Sequence, residues 1–468
     1  QVTLTSPPAV PAEHELEQVR ERLRAALGDR VDTTPAAREN ARSDKSGHAA
    51  AGLPIAVVHA ASTADVQSVL RIASETGTPV VTRGAGTGLA GGAGAGAGEI
   101  SLSTRSMTRV LEISADDLIA VVEPGIINAE LNDILRPHGL WWAPDPASRA
   151  ISTVGGNIAT GAGGLLCAKY GVVRDAVLGV ELVLADGRAM RLGHRTVKGV
   201  TGLDLTALVI GSEGTLGVIT EATLKLRRLI AGGICTLTAV FPTVRAAAAA
   251  SAAVTASGLR PSIMELMDAA SLAAVSALRD LPTPLSGAAQ LTLQTDGPQA
   301  EQDAARIAAV LEAAGGVVTS TADREEGEEL LAIRRSLHPA LERLGTTLIE
   351  DVSVPRSALP EMFDEIARIE AKFGVVIPTV AHAGDGNLHP NFVFESEEVP
   401  DHIWLAAGEL FHAALRLGGT LTGEHGIGTL KRRWLRDELG DEQWELQRQI
   451  ARVFDPQGIL NPGKVFER

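Results

Sequence analysis

Three glycine-dense segments constrain this chain more than any other feature of its sequence. They lie at residues 79–98, 145–164 and 208–226, each flanked by strand-like runs rich in Val and Ile. Glycine lets the backbone approach a ligand closely, and successive N–H groups can point at a pyrophosphate. One such loop is more often a simple connector, but three in one region predict a long ligand held by main-chain contacts. The first segment lacks the following helix of the dinucleotide fingerprint, which disfavours a Rossmann NAD site.

The order of apolar patterns predicts an α+β fold with several parts. The chain has 468 residues, enough for two or three domains. Residues 1–50 predict an N-terminal helical arm, with an amphipathic helix from about Ala12 to Leu27. Residues 51–228 alternate short strands with glycine-rich turns, whereas 229–400 predict an antiparallel sheet covered by helices. Residues 401–468 predict a mostly helical C-terminal segment.

Composition excludes several classes of protein. Asp and Glu number 57 against 42 Lys and Arg, and no basic run interleaved with aromatics marks a nucleic-acid surface. Two distant cysteines, Cys167 and Cys235, favour neither a disulfide framework nor an iron–sulfur cluster. We find no segment typical of a membrane span or a signal peptide. We therefore expect a cytoplasmic monomer or homodimer that binds no nucleic acid, and peripheral membrane association is left open.

Two histidines near residue 385 predict a metal site. Residues 375–394 read as strand, turn and strand, with turn residues at 384–387. In that hairpin His382 lies directly opposite His389, with Cβ atoms ~4.5–5.5 Å apart on one sheet face. An isolated His is usually an ordinary core or surface residue. Two facing imidazoles would repel each other once protonated, which favours a shared metal ion.

A second motif, LTGEHGIGTLK at 421–431, carries Glu424 and His425 between two glycines. A carboxylate and an imidazole on such a loop can supply one more metal ligand and one acid or base. Two imidazoles and one carboxylate with open positions suit zinc, manganese or iron better than calcium or magnesium.

These motifs together resemble a known group of flavoenzymes. RGAGTGLAGG, STVGGNIATGAGG with KYG and ADG, and GSEGTLGVIT resemble the FAD-binding domain of the vanillyl-alcohol oxidase flavoprotein family. HAGDGNLH, GEHGIG and the terminal DPQGILNPGK resemble the FAD-linked D-lactate dehydrogenases, glycolate oxidase flavin subunits and D-2-hydroxyglutarate dehydrogenases. The resemblance spans residues 54–464. It implies a vanillyl-alcohol oxidase-type FAD-binding domain, then an antiparallel-sheet substrate domain with covering helices and a C-terminal helical segment that completes the FAD and metal site.

The resemblance also implies how FAD is bound. The backbone at 84–88 would hold the pyrophosphate, 152–157 would line the flavin and phosphates, and Ile219 would lie near the adenine. The full implied set is Arg83, Gly84, Ala85, Gly86, Thr87, Gly88, Pro144, Ser152, Thr153, Gly155, Gly156, Asn157, Gly163, Gly214, Ile219 and Asn461. No His or Cys occurs between 83 and 98, so we expect non-covalent FAD. One departure is Gly161, where related sequences usually carry Asn.

The implied reaction is oxidation of a small D-2-hydroxy acid to the 2-oxo acid, by hydride transfer to flavin N5. The implied roles are metal binding by His382, His389 and Glu424, proton abstraction by His425, a grip on the substrate carboxylate by Arg334 and a substrate contact by Asn391. Because the flavin carries the electrons, zinc or manganese is expected at the metal site.

One departure from the 2-hydroxyglutarate enzymes bears on the substrate. They carry Lys two residues before the Asp of DVSVP, where this chain has Ile349. A second carboxylate thereby loses its expected cation, which favours D-lactate or glycolate, unless His338 supplies that charge.

Four alternatives stay open at this point, and a D-2-hydroxyglutarate dehydrogenase is the first of them. The chain could be an oxidase or synthase of the same superfamily that acts on an alcohol, aldehyde or ether-lipid precursor. It could be a flavin subunit that relays electrons in a glycolate oxidase-like complex with an iron–sulfur partner. It could be a flavin-free metallohydrolase. The electron acceptor, whether quinone, cytochrome, electron-transfer flavoprotein or iron–sulfur subunit, is not determined by the sequence.

Overall fold

The computed structural model of the chain describes residues 12–281, 289–396 and 398–466. Its helices are α1 Glu13–Leu27, α2 Pro35–Asn40, α3 Thr63–Thr76, α4 Asn128–Leu135, α5 Val154–Thr160, α6 Cys167–Tyr170, α7 Leu205–Val209, α8 Val244–Ala256, α9 Ala269–Arg279, α10 Ala300–Ala313, α11 Arg324–Arg335, α12 Leu337–Glu342, α13 Leu359–Phe373, α14 Asp401–Arg416 and α15 Arg432–Phe454, the last interrupted at Gly440. Its strands are β1 Val31–Asp32, β2 Ala56–His59, β3 Val80–Arg83, β4 Ile100–Ser103, β5 Val110–Ser114, β6 Ile119–Val122, β7 Leu140–Trp141, β8 Val177–Val183, β9 Ala189–Gly193, β10 Val218–Lys225, β11 Arg227–Arg228, β12 Gly233–Phe241, β13 Ile263–Asp268, β14 Ala289–Gly297, β15 Val317–Thr321, β16 Thr346–Ile349, β17 Val352–Ser353, β18 Thr379–His382 and β19 Asn387–Phe394. The α+β class predicted from the sequence is confirmed.

Two sheets form the first half of the molecule. The first has the order β1-β2-β4-β3, in which β2, β4 and β3 run parallel and β1 antiparallel. The second is antiparallel, with the order β5-β6-β10-β8-β9. Helix α1 buries Leu16, Val19 and Leu23 in the core of the first sheet, because these apolar residues recur at intervals of three and four.

The second half is built on one large antiparallel sheet, ordered β15-β12-β14-β13-β18-β19-β16, with β17 also paired to β19. Side chains alternate between its faces. On β13, Leu266 packs in the cluster under α8, α10, α13 and α14, whereas Met267 packs with α9 and α12 on the other face. Glu265 is two residues before Met267, so it shares the second face.

The end of the chain returns to the first half. Leu460 forms a parallel bridge with Val80, and Ile459 and Leu460 belong to the core of the first sheet. Among the helices of the described residues, none is long and apolar enough to cross a membrane.

The predicted register of the histidine hairpin is wrong by two residues, because His389 lies opposite Val380 and not opposite His382. His382 pairs with Asn387, and Val380 pairs with His389. The reason is that the N–H groups of Asp385 and Gly386 both donate to the His382 carbonyl, which closes the turn over 383–386. Because Val380 and His382 are two residues apart, both imidazoles still project from the same face as diagonal neighbours.

The second glycine-dense segment also differs from its predicted form, since it contains helix α5 and is not a simple turn. Thr153 caps this helix by accepting a hydrogen bond from the Gly156 N–H at 3.2 Å. Val154 and Ile158 anchor its buried face. A good cap and two buried apolar residues outweigh the low helix propensity of paired glycines.

Candidate active site

A cavity of about 540 Å³ lies where the glycine-dense segments meet the large sheet domain. The predicted FAD-contacting residues that line it are Gly84, Ala85, Gly86, Thr87, Gly88, Thr153, Gly155, Gly156, Asn157, Gly163, Gly214 and Ile219. The other domain contributes His338, Glu342, Ile349, Glu424 and His425 to the same lining. One cavity therefore joins the predicted cofactor residues to the predicted base and one predicted metal ligand.

The remaining predicted FAD residues lie behind the lining. Arg83 donates to the carbonyl oxygens of Ser43 and Ala93, so its guanidinium shapes the first loop. Asn461 donates to the carbonyl oxygen of Glu213 at 2.6 Å and so fixes the third segment. Pro144 and Ser152 are likewise outside the lining.

Glycine is required where the first two segments touch. A Cβ on Gly84 would lie 2.4 Å from the Thr153 hydroxyl oxygen, closer than packed atoms can approach. Gly86 has φ +70, a left-handed conformation that favours glycine. The bare main chain that results is suited to a pyrophosphate, so the residues present fit FAD.

The three predicted metal ligands converge beside this cavity. His389 Nε2 lies 3.2 Å from Glu424 Oε1, and His382 Nε2 lies 3.6 Å from the same oxygen. All three ligand atoms lie within 4.8 Å of one another. The two imidazole rings are 5.0 Å apart and nearly perpendicular, at 83°. Two imidazoles and a carboxylate aimed at a common point are a donor set that fits a divalent cation.

Buried carboxylates dominate the electrostatics of this cluster. Burial opposes the imidazolium form of His382, but the Glu265 and Glu424 carboxylates outweigh burial and raise its pKa well above the usual value. Burial likewise opposes ionisation of Glu424, yet His382 and His389 hold its pKa well below the usual value. The cluster thus favours bound positive charge, which protons or a metal ion can supply.

His425 lies against the cluster and faces the cavity. Its ring stacks on His389, with centroids 5.0 Å apart and planes 16° from parallel. Burial lowers the pKa of His425 to about 4. Its Nδ1 is buried and has no hydrogen-bond partner among the described residues. His425 is therefore a neutral imidazole near pH 7, with the capacity to accept a proton.

The position of the Glu424–His425 loop is set by a buried carboxylate that sequence reasoning missed. Asp351 Oδ2 accepts the backbone N–H groups of Gly423, Glu424 and His425 at 2.9–3.0 Å, and the Thr422 hydroxyl at 2.5 Å. Burial raises the cost of its charge, but neighbouring histidine and lysine side chains hold the pKa of Asp351 well below the usual value. The motif DVSVP contains this Asp, and an acidic residue among apolar ones was the signal available.

The first half of the molecule holds the same loop from the opposite side. Glu213 accepts hydrogen bonds from the N–H groups of Ile427 and Gly428 at 2.6 and 2.7 Å. Burial raises the pKa of Glu213 to about 7, while these two donors oppose the rise. Asp351 and Glu213, from the two halves of the molecule, thus both accept hydrogen bonds from the backbone of the turn at 422–428.

The two remaining predicted substrate residues lie on the sheet face beside the cluster. Arg334 is 8% exposed, and its Nε lies 2.8 Å from Glu265 Oε2. Asn391 is fully buried and donates to the carbonyl oxygens of Pro378 and His389, so its amide hydrogens are already used. Asn391 does not line the cavity among the described residues.

Glu265 is the second functional candidate that sequence reasoning missed. It is 1% exposed, and its Oε1 accepts a hydrogen bond of 2.6 Å from Nδ1 of His382. The signal was present in IMELMD, where one carboxylate interrupts an apolar strand, because an acid is almost never buried without a partner.

Two protein families match this chain, and both are named for FAD. Residues 54–193 match the family described as FAD binding domain, and residues 233–465 match FAD linked oxidases, C-terminal domain. Among solved structures, p-cresol methylhydroxylase with substrate bound superposes with TM-score 0.80 at 19% identity over 98% of each chain. Alkyldihydroxyacetonephosphate synthase gives 0.74 at 20% identity, covering 98% of this chain and 87% of that one. At such identities the likeness shows the fold alone, which is the vanillyl-alcohol oxidase type. The two matched families give the class of protein, because they make the chain a FAD-dependent oxidoreductase.

Relatives of higher identity narrow the family. Glycolate oxidase subunit GlcD of Bacillus subtilis is 39% identical over 422 residues, which cover 89% of this chain and 90% of that protein. A D-lactate dehydrogenase of Archaeoglobus fulgidus is 37% identical over 416 residues, covering 88% of this chain and 91% of that protein. The chain belongs to the family of FAD-linked oxidoreductases that contains these two proteins.

Proposed function

We propose that this protein oxidises a small D-2-hydroxy acid, D-lactate or glycolate, to the 2-oxo acid with non-covalently bound FAD and a divalent metal ion. The observation that carries the proposal is the convergence of His382, His389 and Glu424, whose ligand atoms lie within 4.8 Å of one another beside the cavity. Relatives named glycolate oxidase subunit and D-lactate dehydrogenase support the substrate class.

Each residue has a definite task in this proposal. His382, His389 and Glu424 would hold a zinc or manganese ion, which would supply Lewis-acid chemistry, and bound FAD would supply an electron acceptor. Arg334 binds the carboxylate of the substrate and thereby sets which face of Cα is presented. His425, neutral because burial lowers its pKa to about 4, takes the proton of the hydroxyl group.

The cavity lining supports a substrate with a single carboxylate. Ile349 and Glu342 both line the cavity, and neither side chain offers a positive charge to a second carboxylate. Burial lowers the pKa of His338 to about 4, and this imidazole is uncharged near pH 7. His338 is thus a poor substitute for the missing Lys.

Anaerobic reduction of the purified flavoprotein tests the proposal. Its flavin absorbance is followed after separate additions of D-lactate, L-lactate, glycolate and D-2-hydroxyglutarate. We expect rapid bleaching by D-lactate or glycolate and much slower bleaching by L-lactate and D-2-hydroxyglutarate. A flavin that none of the four reduces would contradict the proposed substrate class, and rapid reduction by D-2-hydroxyglutarate would contradict the role of Ile349.

A second candidate is a flavin subunit of a glycolate oxidase-like complex. It is favoured by the 39% identity to a protein named as a glycolate oxidase subunit. The isolated chain, assayed with glycolate and a dye acceptor, separates the candidates. Steady turnover by the chain alone supports an independent dehydrogenase, whereas turnover that needs an added iron–sulfur partner supports the subunit.

A further inference from the structure

Glu265 is a carboxylate buried in the middle of the large sheet, a position that acidic side chains occupy only with partners. It lies on β13 between two neighbouring strands, opposite Thr292 on β14 and His382 on β18. Its side chain is 1% exposed. A carboxylate taken out of water loses its solvation, and only ion pairs and hydrogen bonds with its new neighbours compensate for that loss.

Both oxygens of this carboxylate face groups assigned to different tasks. Oε1 lies 2.6 Å from Nδ1 of His382, a proposed metal ligand. Oε2 lies 2.8 Å from Nε of Arg334, the proposed anchor of the substrate carboxylate. The Glu265 side chain therefore contacts both a proposed metal ligand, His382, and the proposed substrate anchor, Arg334.

The contact with His382 determines which imidazole nitrogen is available to a metal. With Nδ1 donating to Glu265, the lone pair remains on Nε2, the nitrogen that faces Glu424 at 3.6 Å. Carboxylates in this position fix the tautomer and increase the basicity of the ligating imidazole. Without Glu265 the ring is free to flip or to carry its proton on the wrong nitrogen.

Within the described part of the chain, Glu265 is the carboxylate that pairs with Arg334, and it does so at Nε. A guanidinium has five N–H groups, and it is Nε that lies 2.8 Å from the Glu265 carboxylate, as an ion pair without the alignment of a hydrogen bond. The terminal amino groups remain, and a pair of them matches the geometry of a carboxylate. The negative charge of Glu265 also keeps the buried Arg334 in place when no substrate is bound.

We propose that Glu265 is a positioning residue that couples the metal ligand His382 to the substrate anchor Arg334. The proposal rests on the proposed function, because it assigns the metal and the hydroxy acid to these two groups. It makes a specific demand: loss of the Glu265 charge weakens metal binding and 2-oxo acid binding together, although Glu265 touches neither ligand.

The test measures binding to the FAD-loaded protein without turnover. Zn²⁺ and Mn²⁺ affinities are measured by competition with a chromophoric chelator, and the Kd of pyruvate is measured from the perturbation of the flavin spectrum. Glu265→Gln is expected to weaken metal binding ~10–100-fold, as removal of a carboxylate behind a ligating imidazole does. The Kd of pyruvate is expected to rise about tenfold.

A matched control lies on the same strand. Asp268 is a partly buried carboxylate of β13, but it accepts the N–H groups of Ser271 and Thr379 and so has a structural role. Asp268→Asn is expected to lower the Tm while both affinities stay within about twofold of wild type. Glu265→Asp, which retains the charge but is too short to reach both partners, replaces Glu265→Gln if the latter does not fold.

A second background separates positioning from general damage. In Arg334→Gln protein, with the metal site kept saturated by excess Zn²⁺ in both backgrounds, addition of the Glu265 substitution is expected to change the pyruvate Kd by about twofold or less, because the group it positions is gone. Unchanged metal or pyruvate affinity in the folded Glu265 variants, or an equal loss of pyruvate binding in both backgrounds, would overturn the coupling. A wild-type protein that binds neither metal nor pyruvate would instead remove the proposed function, and the coupling with it.

Discussion

The two ends of the cavity are built in opposite ways. The FAD end is made of main chain bared by glycine, as at Gly84 and Gly86, and it relies on few side chains. The other end is made of buried ionisable side chains, and the Asp351 carboxylate holds the backbone that carries two of them, Glu424 and His425. A main-chain cradle tolerates side-chain changes that do not collide with it. A cluster of buried charges fails when a single member is lost, because its partners are left unpaired.

Removal of the metal tests the polar end most severely. We expect dialysis against a chelator to lower turnover of D-lactate by ~10³-fold or more, since a Lewis acid contributes several kcal/mol to the transition state. The flavin absorbance should persist, because the glycine cradle needs no cation. Added Zn²⁺ or Mn²⁺ should restore the rate. Full activity in protein shown by elemental analysis to be metal-free would remove the metal from the reaction.

Loss of the base is the next largest effect. His425→Ala is expected to lower kcat by ~10²–10⁴-fold, the contribution usual for a general base, while FAD content stays unchanged. His412→Ala is the matched control, because that imidazole is 49% exposed and pairs with Asp437 on the surface. Near-normal turnover in the His425 variant would assign the proton transfer to another group.

Asp351→Asn should damage stability as well as activity. An amide cannot accept all the hydrogen bonds that Oδ2 accepts, so we expect a loss of ~3–5 kcal/mol in the free energy of unfolding. The pKa of Asp351 is lowered by folding, so its contribution is present above the ordinary pKa of an Asp and is lost as the pH falls. Urea titrations at pH 7 and at pH 3, which is below the ordinary pKa of an Asp, should show the larger difference between wild type and variant at pH 7. Equal stability of wild type and variant at pH 7 would contradict this role.

The cradle should respond only where a side chain collides with it. Gly84→Ala places a methyl group 2.4 Å from the Thr153 hydroxyl oxygen, and overpacking of this kind costs ~1–3 kcal/mol. We expect the Kd of FAD to rise about tenfold or more, measured by fluorescence titration of apoprotein. Wild-type FAD affinity would show that the first two segments separate more easily than the structure implies.

The smallest effect is expected at the departure from the related sequences. Gly161 has φ +68, a conformation that Asn tolerates, and the nearest atom to an added Cβ is 3.7 Å away. Gly161→Asn should therefore change the unfolding free energy and FAD affinity by no more than about 0.5 kcal/mol. A large loss at this position would show that the cradle depends on side chains after all.

The same contrast explains what could be predicted from the sequence. Glycine segments and the HAGDGNLH motif are local signals, so the cradle and the two histidines could be located in advance. The hairpin register could not be predicted, because it depends on which carbonyl oxygen accepts the N–H groups of the turn residues. Here that oxygen belongs to His382. Glu265 and Asp351 were missed because their partners lie far away in the chain, His382 in one case and the Glu424 loop in the other. Partners so far apart in the chain produce no short sequence motif from which their contact could be predicted.

The turn at 422–428 is gripped by Asp351 from one domain and by Glu213 from the other. The packing of the two halves of the molecule against this turn therefore decides where the side chains of Glu424 and His425 lie, the proposed metal ligand and the proposed base.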